Sequence, residues 1–119
     1  NDKRKKIINL LKINYKKNLL TKVISKNLYI NLLNIIDIKN AVRLVLKRNY
    51  KSDTYLLQNK KDFKISDIIK GINKYSDKKI RIKWLSNNIL KEKTYKFKSL
   101  KNWKPNKSKI EDIVRIITG

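Results

Sequence analysis

The chain has no cysteine, no histidine and no methionine, and only one proline and two glycines in 119 residues. Without cysteine there is no disulfide framework and no thiolate nucleophile. Without histidine it lacks the commonest metal ligand and the usual general base near neutral pH. With only Gly71 and Gly119, neither common kind of glycine-rich phosphate loop can be built, so these residues do not contain a dinucleotide-binding turn. No apolar run approaches the roughly 20 residues of a membrane span. The basic start, NDKRKKIINLLKINYKK, has neither a long apolar core nor a small-residue cleavage site and does not read as a signal peptide. A chain that begins at Asn1 and carries no methionine is expected to be a piece of a longer protein, whose first part could carry the chemistry.

Acids are scarce as well: 9 against 32 bases, for a net charge of +23. That balance points to a polyanionic partner, and a small basic nucleic-acid-binding module is the alternative function it raises. Two features weigh against nucleic acid. Only five of the bases are arginine (Arg4, Arg43, Arg48, Arg81, Arg115), and the lysines lie along the whole chain instead of clustering with stacking aromatics. Abundant Lys, Asn, Ile, Tyr and Leu with little Gly, Ala or Pro is the composition expected of an A- and T-rich genome. Codon bias leaves the shortage of acids unexplained.

What is present reads as one α/β domain, residues 1–119, with short strands and about four helices. Residues 3–18 carry Ile7, Ile8, Leu10, Leu11 and Ile13 at helical spacing. Leu19 to Ser25 and Tyr29 to Ile36 read as strands. The second runs through Asp37-Ile38-Lys39 to Asn40, which is expected to cap a helix ending at Arg48. A short strand at Thr54 to Gln58 precedes a helix over Lys64 to Tyr75, with Ile65, Ile68, Ile69 and Ile72 inward and Gly71 allowing close packing. Lys79 to Leu85 alternates as a half-buried strand with Ile80, Ile82 and Trp84 on one side. Asn87 to Lys101 reads as a loop with a short helix, stopped by Trp103-Lys104-Pro105. Ser108 and Glu111 form a capping box for a last helix, Ile110 to Ile117.

Candidate chemistry is thin. Tyr75 to Lys79 matches YxxxK, but it straddles a helix end, and in so lysine-rich a chain the match reads as chance. No two carboxylates are spaced for acid–base work or a metal cage. Glu111-Asp112 is explained by the helix dipole. Trp84 and Trp103 read as buried anchors before they read as stacking platforms, and Asp37 as a junction cap or surface carboxylate before a binding residue.

Four segments, in order, resemble the C-terminal, substrate-side part of the NAD-dependent epimerase/dehydratase family, the extended short-chain dehydrogenases acting on sugar nucleotides. Ile35-Ile36-Asp37-Ile38-Lys39-Asn40-Ala41-Val42 resembles the family's "VDDVA" helix start. Asp53-Thr54-Tyr55-Leu56-Leu57-Gln58-Asn59 resembles its "YNIGS" strand, and Phe63 to Ile69 its "SIKELA" helix opening. Leu100-Lys101-Asn102-Trp103-Lys104-Pro105 with Ile110-Glu111-Asp112 resembles its "LGWKP…LEEG" closure. Asn40 replaces an Asp, Leu56 and Gln58 replace an Asn and a Gly, Lys64 stands where Ser or Thr is frequent, and Asn31-Leu32-Leu33-Asn34 lacks an arginine that meets substrate phosphates in many members.

The resemblance implies a cytoplasmic enzyme. Its N-terminal Rossmann domain, outside these residues, binds NAD or NADP and carries the catalytic Tyr/Lys pair. The parent would be a possible homodimer. This piece would contribute binding of the nucleotide-sugar substrate, with no catalytic, cofactor or metal residue of its own. Lys26 and Asn31, beside the segment where members bind substrate, are the candidate contacts.

Overall fold

The computed structural model describes residues 3–91 and 98–119, with side chains from Lys6 onward in the first helix. The order is α1 (Lys3–Lys17), β1 (Thr21–Val23), β2 (Leu28–Ile30), α2 (Ile35–Lys47), β3 (Tyr55–Leu56), β4 (Phe63–Lys64), α3 (Ile65–Tyr75), β5 (Ile82–Trp84), β6 (Leu90–Lys91), β7 (Lys98–Ser99) and α4 (Ile110–Thr118). The described residues form a mixed α/β arrangement of four helices and very short strands. No described helix is long and apolar enough to cross a membrane. Glu92 lies outside the described residues, as does the middle of the segment read as a loop with a short helix.

The strands form three small ladders. β1 and β5 are parallel, with Val23 opposite Trp84. β2 lies between antiparallel β4 and parallel β6. β3 and β7 are parallel, with Tyr55 opposite Lys98. The core sits under the helices instead of between sheets. Leu11 and Tyr15 of α1 meet Ile65, Ile68, Ile69 and Ile72 of α3 and Ile113, Val114 and Ile117 of α4, joined by Val23, Ile30, Leu32 and Ile80. The isoleucines of α3 recur every three or four residues, so one stripe of the helix is buried. Gly71 lets α4 approach: a Cβ there would lie 2.8 Å from Cγ2 of Val114.

α1 ends where Asn18 turns left-handed (φ 56°), a conformation asparagine tolerates better than most residues, and Leu19 N donates to Asn14 O at 2.9 Å. The Lys78 ammonium also donates to the carbonyls of Tyr15 and Lys16, placing a cation at the negative end of the helix.

β4, β6 and β7 fall where the sequence reading placed no strand, the last two within the segment read as a loop with a short helix, and two helix caps differ from that reading for one shared reason. The run from Tyr29 to Ile36 leaves the strand at Ile30, and α2 begins at Ile35. Its cap is Asn34, whose Oδ1 accepts from Ile36 N at 3.1 Å, while Asn40 lies inside the helix. At the other end of the chain the cap of α4 is Lys109, whose N–H donates to the carboxylate of Asp112 at 2.9 Å; Ser108 makes no capping-box bond. Ser108 is spent on Asn34 and Asp37 instead, which ties the start of α2 to the start of α4.

Candidate functional site

Asp37 is buried, with 1% of its surface exposed, inside an otherwise apolar run. A carboxylate there needs partners, because stripping its water without replacing the hydrogen bonds costs several kcal/mol. The partners come from the segment just before α4. Its Oδ1 accepts from Asn106 N at 3.0 Å and its Oδ2 from Lys107 N at 2.9 Å and Ser108 Oγ at 2.5 Å. The backbone carbonyl of Asp37 accepts from Trp103 Nε1 at 2.9 Å. Asn102, left-handed at φ 64°, turns the chain so that Trp103 can reach it. The Ser108 hydroxyl also accepts from Asn34 N at 2.7 Å, so one side chain serves both the cap residue and the buried acid.

A second polar knot adjoins the first through Asn59. Its Nδ2 donates to Ser108 O at 2.6 Å and Leu32 O at 3.2 Å. Its backbone is read in both directions by Asn31: Asn59 N donates to Asn31 Oδ1 at 2.8 Å, and Asn31 Nδ2 donates to Asn59 O at 3.1 Å and to Asp62 Oδ1 at 3.0 Å. Asn31 therefore sits at the C-terminal end of β2 with its amide engaged inside the chain. Lys26 sits before the opposite end of β2. Its backbone N–H bonds Ser86 O at 3.2 Å, its side chain is exposed, and its ammonium makes no hydrogen bond or ion pair among the described residues. β2 lies between the two candidate contacts, and they do not share a cluster.

The remaining candidates resolve simply. α3 stops at Tyr75 and Ser76 is extended, so Tyr75 and Lys79 are not stacked on a helical turn; Tyr75 is exposed with Lys74 Nζ 5.4 Å from its ring centroid. Trp84 and Trp103 are half-buried. Among the described residues no group of three or more His, Cys, Asp or Glu could hold a metal ion. The carboxyl of Asp53 is held below its ordinary value by Lys98, 2.8 Å away, and by the N–H of Thr54.

A shallow cavity of about 270 Å³ opens between α2 and the β3–β7 pair, lined by Ala41, Val42, Val45, Leu46, Tyr55, Leu57 and Leu100. It is apolar and offers no reacting group. Sequence reading missed Asn59, which looks like any loop residue, and the roles of Asp37 and Ser108. For Asp37 a signal existed: a lone acid in an apolar run is either exposed or held by several donors.

Comparison of the chain with protein-family models, curated proteins and solved structures found no match.

Proposed function

We propose that this chain is the substrate-binding, C-terminal part of an NAD(P)-dependent sugar-nucleotide epimerase, dehydratase or reductase. The observation that carries the reading is the meeting of two of its four resembling segments. Asp37, from the "VDDVA"-like helix start, is bound by Trp103 and by the residues after Pro105, from the "LGWKP"-like closure. Two patterns picked out of the sequence separately thus meet at one buried carboxylate, as parts of a shared structural signature should.

A dinucleotide does not fit the residues present. Close approach of a pyrophosphate to backbone needs glycine, and Gly71 faces Val114 while Gly119 follows α4. NAD or NADP would therefore belong to a separate Rossmann domain, and no reaction step runs through this piece. Its own contribution is binding. The exposed Lys26 ammonium is available for a diphosphate, an interaction that strengthens as water is excluded. Asn31 shapes the loop at the other end of β2.

The test starts from the coding sequence upstream of Asn1 and the full-length protein it encodes. The proposal requires a GxGxxG near the start of that protein, a YxxxK upstream of this segment, and turnover of a nucleoside-diphosphate sugar. Lys26→Ala and Asn31→Ala should each raise KM. Absence of both upstream motifs overturns the family reading. Unchanged KM in both variants overturns the binding role of Lys26 and the positioning role of Asn31 alone. Tight, salt-sensitive binding of random duplex or single strands, without any for nucleotide sugars, would favour the nucleic-acid module instead.

A further inference from the structure

α2 is an amphipathic helix whose apolar side is only partly covered by the described residues. At 3.6 residues per turn, Ala41, Val45, Ile38, Val42, Ile35 and Leu46 span an arc of about 140°. Ala41 is buried and Ile38 half-buried, but Ile35, Val42, Val45 and Leu46 are exposed, Leu46 at 81%. Asp37 explains why the helix stays in place regardless: it is held at its first turn by the polar cluster with Ser108 and Trp103, and apolar packing of this arc is not what anchors it. An amphipathic helix held this way keeps its sticky face open to solvent, which is unusual for a surface with no partner.

The charge beside that face is one-sided. Lys39, Arg43 and Lys47 recur every four residues and form an exposed cationic column along one edge of the apolar arc. Asp37, the acid within α2, is buried on backbone amides and the Ser108 hydroxyl, and Asp53, beyond the helix, is paired with Lys98. A second copy of this chain would bring a like-charged column against this one, and with a net charge of +23 the repulsion acts over the whole surface. A bilayer surface is flat, whereas Val42, Val45 and Leu46 form one wall of a recess of about 270 Å³ closed by Tyr55, Leu57 and Leu100. That recess is just below the usual range for small-molecule pockets and suits an inserted side chain.

We propose that α2 is a docking surface for an acidic amphipathic helix of another protein. Its apolar anchors would enter the recess beside Val42 and Leu46, and its carboxylates would face Lys39, Arg43 and Lys47. This is helix-in-groove recognition, read by anchors at helical spacing, and it stands whether or not the enzymatic proposal holds.

The probe is a labelled peptide of leucine and glutamate, with leucines at helical spacing, titrated against the full chain by fluorescence anisotropy. Its scramble has the same composition and no apolar face. The intact peptide should bind at least about tenfold more tightly than the scramble, as expected when buried anchors and not charge alone carry affinity. Val42→Glu and Leu46→Glu, both at exposed positions, should each weaken binding by at least about tenfold with unchanged circular dichroism. Ile89→Glu, at a position 71% exposed and not among the residues lining the recess, should leave it unchanged. Equal binding of the scramble, or full binding by both groove variants, overturns the proposal. So does a concentration-dependent dimer abolished by Leu46→Glu, or capture by phosphatidylserine vesicles that Leu46→Glu abolishes while the peptide fails to bind.

Discussion

The helical core and the α2 region are assembled by opposite means. Where α1, α3 and α4 meet, Leu11, Ile65, Ile68, Ile72 and Ile117 are each fully buried and the contacts are apolar. α2 is joined to the rest by a carboxylate, a hydroxyl, an indole N–H and backbone amides around Asp37. The first arrangement depends on volume and tolerates exchange among apolar residues of similar size. The second depends on direction, and leaves an apolar helix face available for something else.

The largest expected effect is in the core. Ile72→Ala should destabilise the whole chain by about 2–5 kcal/mol, through lost transfer energy and the cavity left behind. A single cooperative urea transition should move, with amides of α1, α3 and α4 losing protection together. Asp37→Ala should cost about 1–3 kcal/mol, because the N–H groups of Asn106 and Lys107 and the buried hydroxyl of Ser108 lose their acceptor. Its signature should be local: hydrogen exchange should rise in α2 and around Trp103, while α3 stays protected. If Asp37→Ala melts the core and α2 in one step, the two regions are a single cooperative unit and the contrast fails.

A smaller effect sharpens the volume argument. Gly71→Ala places a methyl group against Val114, and the strain should outweigh the gain of about 1 kcal/mol in helix propensity. Combined with Val114→Ala, the same change should become stabilising, as thermal melts of the two single variants and the double would show. The smallest effect concerns Asp53. Its carboxyl is held below the ordinary value by Lys98, so any stability it contributes is present above that value and is lost as pH falls through the lowered folded-state one. Lys98→Ala should return the Asp53 titration, followed by NMR, toward the ordinary carboxylate range with little change in melting temperature. The pair is on the surface and weakly coupled to folding.

Helix α3 was legible because its isoleucines repeat with a period only a helix buries on one side, and Gly71 was legible as a close approach because nothing else explains a glycine there. The start of α2 was not. Ile35, Ile36 and Ile38 suit a strand and a helix alike, so local pattern could not choose between Asn34 and Asn40 as the cap. The choice falls to Ser108, whose hydroxyl takes the N–H of Asn34 at 2.7 Å from 74 positions away. The capping pattern of Ser108 with Glu111 failed for the same reason, since that hydroxyl is committed elsewhere. Of the candidate contacts, the solvent exposure of Lys26 could be guessed from its charge, whereas the engagement of Asn31 with Asn59 and Asp62 could not.

The sequence by itself determined the α/β class, the four helices, the isoleucine stripe and the excess of positive charge, because these follow from periodicity and composition. Only the tertiary structure decided that Asp37 is a buried anchor rather than a cap or surface acid, and that Val42, Val45 and Leu46 on the apolar side of α2 stay exposed. Both outcomes depend on which distant donors reach one carboxylate, and hydrogen-bond direction between remote segments leaves no mark in the local pattern of either.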